Sequence, residues 1–99
     1  MHFVFSYDLS LEAGTRRNEI VSQIEGFLPA DNFVRRLSTF YVVHVNSEAE
    51  WNVILTNLSN LSRDIPEDLH FIMSPCMTGG RYNGILPKTE WDAINNLSV

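Results

Sequence analysis

An α+β domain of the two-layer, ferredoxin-like βαββαβ kind is the fold that this 99-residue sequence predicts, and three observations carry it. Four apolar runs of strand length alternate with two stretches of helical periodicity, in the order strand, helix, strand, strand, helix, strand. A composition that is 44% hydrophobic and 11% aromatic fills one two-layer core and leaves no room for a second. Right-handed crossovers in that order set the first and third strands side by side at the sheet centre and both helices on one face. The domain is expected over residues 1–75. An extension over 76–99, containing a short helix, is expected to pack on the domain or on a partner subunit.

The first strand is Phe3-Val4-Phe5-Ser6-Tyr7-Asp8, an apolar run that ends in a carboxylate. Its alternation puts Phe3, Phe5 and Tyr7 on one side, assigned to the helices, and Val4, Ser6 and Asp8 on the other. After a polar connection, Thr15 opens a helix as its expected N-cap, with Ile20, Ile24 and Phe27 at helical spacing and Val21 and Leu28 widening the stripe. This helix stops between Gly26 and Pro29. Residues 32–37 and 40–45 read as strands joined by Ser38-Thr39. The second of them, Phe40-Tyr41-Val42-Val43-His44-Val45, is apolar on both parities, so something must cover the sheet face away from the helices.

Ser47-Glu48-Ala49-Glu50 is a capping box, with Ser47 accepting from the Glu50 amide and Glu50 reaching back to the Ser47 amide. Trp51, Ile54, Leu55, Leu58 and Leu61 continue it as an amphipathic helix. Leu69-His70-Phe71-Ile72-Met73 is the fourth strand, ended by Pro75. Residues 77–84 are rich in turn formers, and Thr89-Glu90-Trp91-Asp92 opens a helix running through Ile94 and Leu97. The Gly79-Gly80 pair lacks the spacing of a phosphate-cradling loop and reads as a linker.

With both helices on one face, Val4, Val42 or Val43, and Ile72 are left on a bare one, and pairing with a second copy is the simplest cover. Such a homodimer brings two Asp8 carboxylates together across the twofold axis, where they repel unless they share a proton or a cation. A hard divalent ion, Mg2+ or Mn2+, suits oxygen ligands and retains waters. That makes Asp8 the candidate catalytic and metal-binding residue, for water activation at a phosphodiester. His44 is expected near the end of a strand parallel to the first, and His70 near the start of an antiparallel neighbour, so both fall towards Asp8. Arg16 and Arg17 add a basic spot.

Charge and cysteine usage narrow the classes. Twelve acidic against seven basic residues give a net charge of −5, which disfavours general affinity for nucleic acid. The single Cys76 excludes an internal disulfide framework and has no basic neighbours to activate it. No basic leader or membrane-length apolar run is read, so a cytoplasmic protein without membrane contact is expected.

The strand ending in Tyr7-Asp8-Leu9, followed by Arg16-Arg17 and a helix, resembles the small dimeric CRISPR-associated protein of the spacer-acquisition complex and its relatives, the virulence-associated D and SinR-like families. Leu37-Ser38-Thr39-Phe40-Tyr41-Val42-Val43 is similar to the hairpin and third strand of SinR-like sequences. The resemblance implies a ferredoxin-like fold, a homodimer packed through its sheets and, in some members, metal-dependent ribonuclease or deoxyribonuclease activity at the position of Asp8. Two other readings stand beside a nuclease. One is a non-catalytic dimeric interaction or regulatory module in which Asp8 only orders the following loop. The other is a small-ligand-binding dimer.

Overall fold

The computed structural model describes residues 1–12, 14–79 and 84–97, with Arg36 by its backbone alone. Four strands and three helices follow in the order β1 (His2–Leu9), α1 (Thr15–Gly26), β2 (Phe33–Leu37), β3 (Phe40–His44), α2 (Glu48–Asp64), β4 (Leu69–Met73) and α3 (Lys88–Leu97). The strands form one antiparallel sheet ordered β2-β3-β1-β4. The expected linker at Gly79-Gly80 falls partly outside the described residues.

The aromatic parity of β1 faces the main core, as its pattern predicts. Phe3, Phe5, Tyr7 and Leu9 are buried with Tyr41 and Val43 of β3, Ile20 and Ile24 of α1, and Ile54, Leu58 and Leu61 of α2. Phe5 stacks on Tyr41 with ring centroids 4.7 Å apart, a geometry that adds to the area both rings bury. The Tyr41 hydroxyl donates to Glu25 Oε1 at 2.9 Å, and Arg35 lies over the same ring while pairing with Glu25 at 3.7 Å. Burial first, and then this hydrogen bond, pushes the Tyr41 phenol well above the usual tyrosine range.

Two helix starts differ from their expected caps. The N-cap of α1 is Gly14, not Thr15, and its φ of 150° is one that a side chain rarely tolerates. At α2, Ser47 accepts from the Glu50 amide as expected, but the Glu50 carboxylate reaches the amide of Asn46 instead of that of Ser47.

The second face of the sheet is not bare. Register places Val42 opposite Val4 and Val34, on the parity away from α1 and α2. Val42 is nevertheless buried, as is Ile94 of α3, and both lie outside the main core cluster. Helix α3 packs against β2 and β3 and supplies the cover that β3 demanded. A second copy is therefore not needed there. Cover by α3 reaches β2 and β3; Ile72 of β4 remains 73% exposed.

Candidate functional site

The site begins with the pairing of β1 and β4. Phe5 faces Met73, Ser6 faces Ile72, Tyr7 faces Phe71 and Asp8 faces His70. Side chains directly opposite on antiparallel strands have Cβ atoms about 4.5–5.5 Å apart, so the two side chains leave the sheet at neighbouring points, with no hydrogen bond or ion pair joining carboxylate to imidazole among the described residues. Both are exposed, on the face away from α1 and α2. They line a shallow, open depression of about 350 Å³ with Ser6, Tyr7, Phe71 and Ile72.

His44 is elsewhere. Strand β3 runs antiparallel to β1, not parallel as expected, and pairs His44 with His2. His44 thus shares the face of Asp8 but sits at the opposite end, six residues along β1, or about 20 Å at the strand rise. Its Nδ1 is buried without a hydrogen-bond partner among the described residues. Beside it His2 is buried, and burial, ahead of the nearby terminal ammonium and His44, holds its imidazole below the ordinary range.

Arg17 serves the backbone. Its Nη1 donates to the carbonyl oxygens of Leu9 at 2.7 Å and Leu11 at 3.0 Å, fixing the chain as it leaves β1 just beyond Asp8. Arg16 is exposed on the first turn of α1. Cys76 is half-buried, and burial, followed by the charge of Glu48, raises its thiol pKa. That is the opposite of what an activated nucleophile needs.

Asp8 offers carboxylate oxygens and His70 one imidazole nitrogen, two donors from one chain. No group of three or more ligating side chains comes together among the described residues. Two donors with retained waters suit an ion that also takes substrate phosphates, whereas a closed protein cage needs more. Ser6 and Ile72 complete the patch, and the parity of Asp8 along β1 already signals Ser6. No family model and no curated protein matches this chain. No described helix is long and apolar enough to cross a membrane.

Proposed function

We propose that this chain is a ferredoxin-like protein, akin to the CRISPR-associated and SinR-like superfamily that its first strand resembles, and that it works as a homodimer with a divalent-metal phosphodiesterase site at Asp8. The antiparallel order β2-β3-β1-β4, with a helix after β1 and another after β3, supports the fold assignment. The observation that carries the functional reading is the direct opposition of Asp8 and His70 on the uncovered part of the sheet.

In this reading Asp8 holds Mg2+ or Mn2+, and His70 stands within reach to bind or to move a proton at a phosphate or at water. The ion, when bound, supplies charge neutralisation at the phosphodiester and an acidified water. Arg17 positions the site by holding the turn after Asp8. A homodimer is the assembly that the resemblance implies, and each copy carries a complete Asp8–His70 pair of its own. Acidic net charge favours a short or single-stranded nucleic acid substrate over a long duplex, because fewer phosphates meet the protein's field.

A non-catalytic interaction module is the second reading, and the exposure of Ile72 beside this polar pair favours it. Cleavage of single-stranded and duplex RNA and DNA, with and without Mg2+ or Mn2+, separates the two. Metal-dependent cleavage that falls at least about 100-fold in Asp8→Asn is expected for the catalytic role. Activity that survives the substitution excludes that role, and no cleavage by either protein supports the module.

A further inference from the structure

The two edges of the sheet are built differently. Strand β2 carries Arg35 and Arg36 and breaks its register between Arg35 and Leu37, and both the charges and the bulge discourage another strand from pairing there. Strand β4, Leu69-His70-Phe71-Ile72-Met73, contains no Asp, Glu, Lys, Arg or Pro, and pairs with β1 without a bulge.

The hydrogen bonds show which backbone groups of β4 point outward. Ser10 donates to Asp68 and Ser74 to Val4, so the even-numbered residues of β4 share the β1 ladder and the odd-numbered ones face away. Leu69 is already served, its amide donating to the Ile65 carbonyl and its own carbonyl accepting from Ser62 Oγ. Phe71 and Met73 are left, each with one outward donor and one outward acceptor, and no partner outside the sheet takes these groups among the described residues.

We propose that a second copy of the chain occupies this edge, pairing β4 antiparallel with its twin. The twofold axis passes at Ile72, so that Phe71 of each copy exchanges both backbone hydrogen bonds with Met73 of the other. The donors and acceptors are complementary in this register. The exposed Ile72 side chains meet one another, and His70 faces a serine, the twin's Ser74. The charge pattern selects the same strand, because an acidic chain of net charge −5 approaches its own copy most easily along a segment free of carboxylates. A continuous eight-stranded sheet results. Its two Asp8–His70 pairs lie apart on one face, so each site uses its own chain's residues and the carboxylates do not meet.

The test is disulfide trapping in a Cys76→Ser background. Ile72→Cys places two thiols in a non-hydrogen-bonded antiparallel pair, about 4.5 Å between Cα atoms, within the span a disulfide bridges. Oxidised glutathione is expected to convert most of that variant to a covalent dimer while Asp8→Cys stays monomeric. Ile72→Glu, at an exposed position the fold tolerates, is expected to halve the mass that light scattering records for the wild type at tens of micromolar. Trapping through Asp8→Cys but not Ile72→Cys, or a monomeric wild-type mass, overturns the proposal. Cleavage assays at Asp8 read a different property, so either result stands without the other.

Discussion

Two arginines in the first turn of α1 stand where the helix dipole disfavours positive charge, and the turn contains no acidic residue to offset them. Arg17 gains more than it loses, because its guanidinium satisfies the carbonyls of Leu9 and Leu11 with short, charge-assisted bonds. Arg16 gains no such contact among the described residues. Arg17→Ala is therefore expected to lower stability by about 2 kcal/mol in urea denaturation, whereas Arg16→Ala changes it by less than about 0.5 kcal/mol. The sequence shows the basic pair but not this division of labour, since reaching a carbonyl eight residues back depends on the path of the loop.

At the scale of elements, β3 joins the two sides of the sheet. Tyr41 and Val43 enter the main core, and Val42 is buried on the opposite face, where α3 packs on β3. Apolar residues on both parities made a cover legible before the structure, but not its source. An amphipathic segment at the end of a chain packs equally well, on pattern alone, against its own sheet or a neighbour's. Ile94 is the buried residue of α3, and Ile94→Ala is expected to cost about 2–4 kcal/mol. Hydrogen exchange should show α3 losing protection before the strands do. Equal loss throughout would mean that α3 unfolds only with the whole domain.

Direction was the other element-level property that pattern reading did not deliver. Helix periodicity and strand alternation fix which residues face inward, and the inward set of β1 is as expected: Phe3, Phe5 and Tyr7 are buried. The sense of β3 relative to β1 follows from the path of the whole chain, and taking it as parallel moved His44 to the wrong end. That His70 falls towards the Asp8 end was legible from the polar turn after Asp8 and the charged turn before Leu69, which flank the same end of the β1–β4 pairing, whereas the register that sets the two residues opposite one another on one face was not. The capping box shifted by one residue for a local reason: Glu50 is long enough to reach the Asn46 amide.

For the molecule as a whole, the sheet separates covered from open surface. One face is closed by α1 and α2, α3 closes the other over β2 and β3, and β2 ends the sheet with a charged, bulged edge. What remains open among the described residues is β4 and the adjoining part of β1, where Ser6, Asp8, His70 and Ile72 lie together. The most direct measurement of whether that surface is the functional site is a titration of the isotopically labelled protein with Mn2+, followed by paramagnetic broadening of its NMR signals. Saturable broadening centred on residues 6–8 and 70–72, lost in Asp8→Asn, is the predicted result. Broadening centred on other acidic surface, or unchanged by the substitution, would contradict it.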